Sequence, residues 1–176
     1  MRLDQNDETV DGGERLLKAM DHIIFCGDLN YRLDLAREYS EQIVHECEAS
    51  TDIATKKKLR YNLLRHDQLL RSISAGTAFV NFSEGEISFP PTFKFDKGTK
   101  DYDTSHKQRI PAYTDRILFR SNGIEVNEYD SVQDATHSDH RPVFATLSLN
   151  LMGREVLEEE NKKRRRKRRK VSKVAQ

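Results

Sequence analysis

Residues 22–26 (HIIFC) form a short apolar, β-branched run that stops at Gly27 and passes straight into Asp28-Leu29-Asn30-Tyr31-Arg32. A run of that length bounded by glycine predicts a buried strand rather than a helix. Polar groups crowd in just beyond its carboxyl end, where an open sheet carries its sites. The junction therefore demands a sheet and a partner layer for it. It also demands a loop edge bearing an acid, an amide and a guanidinium at spacing two. Cys26, inside the run, reads as a small core residue.

The remaining pattern supplies helices and further strands. Leu35, Tyr39, Ile43 and Cys47 recur every four residues and predict a helix over 33–49 with Tyr39 on its core face. Leu59, Leu63, Leu69, Leu70 and Ile73 predict one helical face over 55–73, with Gly76 as its stop. Residues 14–20 read as one or two helical turns. Pro90-Pro91 rules out a continuous central strand across 79–96, and 97–108 reads as loop. Strands are expected at 116–120, 124–129 and 143–151, with Asn122-Gly123 signalling a hairpin between the first two.

Charge separates the ends of the chain. The formal net charge is +1, yet residues 162–176 hold ten Lys and Arg and no acid, so the rest is net acidic. Such asymmetry points to a tail that meets an anionic surface. The two cysteines are too few for a disulfide framework, and a reduced compartment is expected. No stretch of about 18 apolar residues is present, and the polar, acidic N-terminus does not read as a signal peptide.

Three segments carry chemistry. In the first, Asp28 can take a proton from water, Asn30 can bond a phosphoryl oxygen, and Arg32 can clamp a phosphate. In the second, Pro111 fixes the backbone of Arg109-Ile110-Pro111-Ala112-Tyr113-Thr114-Asp115-Arg116 and Asp115-Arg116 opens a strand. In the third, His137-Ser138-Asp139-His140-Arg141-Pro142 sets a His beside an Asp, a metal ligand next to a phosphate donor. Singly, the first reads equally well as a polar strand-end turn, the second also reads as a surface ion pair at a strand entry, and the third, taken alone, reads better as a polar surface loop.

Together and in this order they resemble the endonuclease/exonuclease/phosphatase superfamily, and within it the inositol polyphosphate 5-phosphatases. That family carries W-x-G-D-x-N-x-R and P-A-W-C-D-R signatures. They stand here as Phe25-Cys26-Gly27-Asp28-Leu29-Asn30-Tyr31-Arg32 and Pro111-Ala112-Tyr113-Thr114-Asp115-Arg116. Phe89-Pro90-Pro91-Thr92-Phe93-Lys94-Phe95 and His66-Asp67-Gln68-Leu69 are similar to two further family elements. Cys26, Tyr113 and Thr114 depart from the signatures and read as changes of packing.

The resemblance implies an α/β (α+β) fold, part of a four-layer α/β sandwich with two packed mixed β-sheets flanked by helices. Residues 14–152 would be the C-terminal half of a 5-phosphatase catalytic domain. Residues 1–13 would be linker or loop, and 153–176 a charged, disordered basic tail. The half bearing the family's metal-binding Asn and Glu is not in the sequence, so a fragment of doubtful activity by itself is expected.

The implied reaction is Mg²⁺-dependent hydrolysis of the 5-phosphate of a phosphoinositide lipid or a soluble inositol polyphosphate. Asp28 would orient or deprotonate water and Asn30 would stabilise the phosphorane-like charge. His140, held by Asp115, would donate to the scissile phosphate, and Asp139 would help hold Mg²⁺. Lys94, Lys107 and Arg109 would meet the neighbouring 4-phosphate, with Arg32 and Arg116 as further substrate-binding cations. A nuclease of the same superfamily is the first alternative, and an inactive remnant or binding module the second. The run KKRRRKRRK, with Lys162 and Lys170 at its ends, suits an anionic membrane surface, a nuclear localisation signal or non-specific nucleic-acid binding. The expected location is cytoplasmic, at the membrane surface, or nuclear.

Overall fold

The computed structural model describes residues 20–121 and 123–150. The readings made for 1–13, most of 14–20 and the basic tail lie outside the described residues. Eight elements follow in chain order: β1 (His22–Asp28), α1 (Arg37–Ala49), α2 (Ile53–Leu64), α3 (Gln68–Ser74), β2 (Ser83–Glu84), β3 (Asp115–Ser121), β4 (Ile124–Ser131) and β5 (Val143–Leu149). They make a mixed helix-and-sheet architecture. One sheet has the order β1-β3-β2 and a second pairs β4 with β5. Every strand pair among the described residues is antiparallel. No helix among them is long and apolar enough to cross a membrane.

The three later strands form where the sequence predicts them, but Asn122-Gly123 does not make a hairpin. β3 and β4 belong to different sheets, and this segment carries the chain from one to the other. Long-range bonds override the local turn signal here. Asn150 N–H donates to the Gly123 carbonyl at 2.7 Å, and Gly123 N–H donates to Ser121 Oγ at 2.8 Å. A Cβ on Gly123 would sit 3.1 Å from the Asn150 carbonyl oxygen, so glycine permits this close approach.

β1 is a strand as expected, but it is not buried. It pairs on one side with β3 and forms the edge of its sheet among the described residues. Ile24 and Phe25 are each 46% exposed, and Cys26 is exposed rather than a core residue. Composition alone cannot distinguish a strand with neighbours on both sides from an apolar edge strand. Phe25 retains one aromatic neighbour, Phe79, edge-on at 5.2 Å.

The helices differ from the sequence pattern in two places. In α1 the buried residues are Ser40, Ile43, Val44 and Cys47, a spacing of three and four, which leaves Tyr39 to the side of the face and exposed. The apolar stretch over 55–73 is two helices. Asp52 caps α2 by accepting from Thr55 N–H, and Asp67 starts α3 by accepting from Leu70 N–H. Between them His66 and Gln68 pair through their backbones with Asp34 and Arg32, which fixes the loop after β1. Gly76, at φ 68°, follows α3 as its stop.

The core gathers Leu33, Ile43, Val44, Leu63, Ile87, Phe89, Ala112, Tyr113 and Tyr129. Helix faces thus pack on the irregular 87–113 region and on β4. Gly85 is required at this seam, because a Cβ there would lie 2.8 Å from the Tyr129 ring.

Candidate active site at the end of β1 and the start of β3

β1 ends beside the start of β3, and their antiparallel register sets Asp28 directly opposite Asp115. Leu29 N–H continues the pairing to the Thr114 carbonyl at 2.8 Å. Just past the strand Asn30 takes a left-handed conformation, φ 57°, which asparagine adopts more readily than most residues. Its backbone N–H donates to Asp28 Oδ1 at 2.9 Å, and its side-chain oxygen accepts from Arg32 Nη2. The acid, amide and guanidinium read from the sequence are therefore joined in one turn.

Asp115 accepts three bonds on one oxygen. His140 Nδ1 lies 2.8 Å from Oδ2, Thr114 Oγ1 donates at 2.9 Å and Thr92 Oγ1 at 3.2 Å. The dyad is partly covered, with the His140 and Asp115 side chains 28% and 22% exposed. Backbone pairing brings His140 there from a distant loop, for Phe95 N–H donates to the Asp139 carbonyl and Arg141 N–H to the Thr92 carbonyl. Arg141 anchors this loop from inside. It is fully buried, lies 3.7 Å over the Phe95 ring, and donates to the carbonyls of Thr99 and Ser138.

Three contributors were not legible as site residues. Thr92 holds Asp115. Thr114, read from the sequence as a packing change, also bonds the dyad; a hydroxyl in place of the signature's thiol brings a stronger donor. Phe93 lies between the two ends of the site, its ring 4.5 Å from the His140 ring and 4.4 Å from the Arg32 guanidinium. A cation over one aromatic face and an imidazole beside it are both stabilising arrangements.

The cations separate into two groups. Asn30, Arg32, Lys107 and Arg109 line one open cavity of about 350 Å³. Burial and the neighbouring Arg109 charge both lower the Arg32 pKa, while Asp28 pulls it the other way. Lys94 stands nearby, one quarter exposed, with Nζ 3.3 Å from Asp103. Arg116 is not among the substrate-facing cations. It is 1% exposed, forks onto Glu84 at 2.6 and 2.7 Å, and bonds Asp67 at 2.9 and 3.0 Å. Burial works against its charge, but the two carboxylates outweigh this and push its pKa up.

Among the described residues no three His, Cys, Asp or Glu side chains converge as a metal cage. Asp139, half-buried at the site's edge, offers a hard oxygen donor of the kind Mg²⁺ takes.

A family model described as endonuclease/exonuclease/phosphatase family 2 matches residues 2–146. The chain belongs to that family. Its curated relatives include inositol polyphosphate 5-phosphatases at 38–45% identity. The phosphatidylinositol 4,5-bisphosphate 5-phosphatase INP51 of Saccharomyces cerevisiae is 45% identical over 129 residues, covering 73% of this chain and 12% of its own length. The type IV inositol polyphosphate 5-phosphatase 11 of Arabidopsis thaliana is 38% identical, covering 75% of this chain and 38% of its own. The solved 5-phosphatase domain of a synaptojanin, in complex with inositol (1,4)-bisphosphate and calcium, is 38% identical with a TM-score of 0.57, over 89% of this chain and 44% of that one. The solved ferrous NO complex of Cimex nitrophorin also shares the fold, at 27% identity and a TM-score of 0.63 over 74% of this chain and 42% of that one. The chain thus spans less than half the length of each of these relatives, and the family's fold is used for more than one chemistry.

Proposed function

We propose that this chain carries the catalytic edge of a phosphomonoesterase that removes the 5-phosphate from phosphatidylinositol 4,5-bisphosphate or a soluble inositol polyphosphate. The observation that carries the reading is the Asp115–His140 pair set opposite Asp28 and bordered by Arg32, Lys107 and Arg109. With Nδ1 engaged by Asp115, His140 has Nε2 left to face a phosphate oxygen. A water held and deprotonated by Asp28 attacks phosphorus in line. The new P–O bond forms as the bond to the inositol oxygen breaks, and that oxygen leaves to take up a proton. Asn30 and His140 donate to phosphoryl oxygens as charge accumulates there, so the work is positioning and electrostatics. The rim cations receive a second phosphate on the ring, which explains their presence together in the site.

Mg²⁺, held by Asp139 and substrate phosphate oxygens, would supply charge neutralisation at the phosphoryl group. The basic run at 162–170 lies outside the described residues. Its attraction to an anionic bilayer, about 1 kcal/mol per cation near the surface, is part of the same proposal.

The test is phosphate release from inositol 1,4,5-trisphosphate and from the bisphosphate lipid in vesicles, with the product's phosphate position assigned by ³¹P NMR. Loss of the 5-phosphate, abolished by a chelator and restored by Mg²⁺, is expected. Release from the 4-position, indifference to chelation, or plasmid nicking in place of phosphate release would overturn it.

A further inference from the structure

The loop from Asp103 to Arg109 bears two of the rim cations, and it is closed on a single carboxylate. Asp103 is fully buried. Its Oδ1 accepts from Ser105 N–H at 3.1 Å and from Lys94 Nζ at 3.3 Å, and its Oδ2 accepts from Arg109 N–H at 2.9 Å. Within the loop, Lys107 N–H donates to Ser105 Oγ and Gln108 N–H to the Ser105 carbonyl, with Gln108 in the left-handed region at φ 41°. The strip beneath is tied to the same residue, for Asp103 N–H donates to the Lys94 carbonyl at 2.9 Å.

An ordinary loop clamp would satisfy backbone N–H groups alone. This carboxylate also takes the ammonium of one rim cation and the backbone of another, while Lys107 hangs from Ser105, which it fixes. We propose that Asp103 is a positioning residue that sets the spacing of Lys94, Lys107 and Arg109, and so determines the site's preference for a second ring phosphate. Lys94 keeps two further protons for a ligand while one faces Asp103. The proposal rests on the reading of these cations as a phosphate-binding rim.

The experiment measures binding of inositol 1,4-bisphosphate and inositol 1-phosphate to the 176-residue chain by titration calorimetry, with backbone amide spectra recorded in parallel. The wild-type chain prefers the bisphosphate. In Asp103→Asn that preference falls about tenfold, the loss of one charge-assisted bond, affinity for the monophosphate stays within about twofold, and the amides of Ser105 and Arg109 shift. Ser105→Ala is the milder variant, decisive if Asp103→Asn does not fold, and loses part of the preference in the same direction. A preference unchanged in the folded variants, or an equal loss for both ligands, would overturn the role of Asp103 alone. Absence of any preference in the wild-type chain would overturn the rim, and Asp103's role with it.

Discussion

Arg109 and Arg116 stand seven residues apart in one motif, and the molecule treats them in opposite ways. Arg116 is enclosed, with Asp67 from the start of α3 and Glu84 from β2 taking its guanidinium between them. Arg109 is exposed, beside Arg32 and Lys107, and no ion pair holds those three side chains among the described residues. Charge matched inside the protein joins elements distant in sequence. Like charge gathered at a rim is unfavourable, and the Arg32 pKa is lowered first by burial and then by the neighbouring Arg109 charge. The difference separates cations that hold the fold from cations that the proposed function assigns to a ligand.

The strongest way to break this comparison is Arg116→Ala. It leaves Asp67 and Glu84 unpaired in the interior, and the expected loss of stability is about 3–5 kcal/mol; denaturant unfolding measures it. A loss under about 1 kcal/mol would put Arg116 back among the surface cations. Next come Asp28→Ala and His140→Ala in a complete catalytic domain, each expected to lower kcat at least about 10²-fold with an unchanged circular dichroism spectrum. A near-wild-type rate for either would remove that residue from the reaction. Smaller again is Arg109→Ala or Lys94→Ala, expected to lower kcat/KM about tenfold on substrates carrying a 4-phosphate and to matter less on those lacking it, with Arg109→Ala changing stability by about 0.5 kcal/mol or less. Equal losses on both substrates would make these residues structural.

The smallest expected effect is on pH dependence. Burial raises the Asp103 pKa, but bonds from Ser105, Arg109 and Lys94 outweigh this and carry it well below the usual carboxylate range. Its contribution to stability is therefore present above an unfolded value of about 3.9 and is lost as pH falls toward the folded one. Thermal melts from about pH 6 down to about pH 3 should fall more steeply for the wild-type chain than for Asp103→Asn. Parallel profiles would show that the carboxylate's bonds do not contribute.

What was legible in the sequence was local. Asp28, Asn30 and Arg32 lie within five residues, and the turn that joins them is made by those same residues. His140 and Asp115 come from separate motifs, each recognisable from its immediate neighbours. What failed depended on distance. Arg116 meets Glu84 across 32 positions and Asp67 across 49, and nothing beside it in the chain announces either partner. Asn122-Gly123 carried a hairpin signal that β4 overrode by pairing with β5. The run at 22–26 had the composition of an interior strand, and only the sheet order reveals it as an edge. Thr114 was visible as a departure from a signature, but that its hydroxyl reaches Asp115 follows from the strand's geometry.

The ring of Phe93, set between Arg32 and His140, makes two separate-looking groups share one spacer. A phenyl ring is a rigid plate, so a substitution at Phe93 removes a contact from both neighbours at once. Errors introduced there would be correlated, disturbing the Arg32 guanidinium and the imidazole together. Phe93→Leu combined with Arg32→Lys should consequently cost less than the sum of the two changes, since each releases the same constraint.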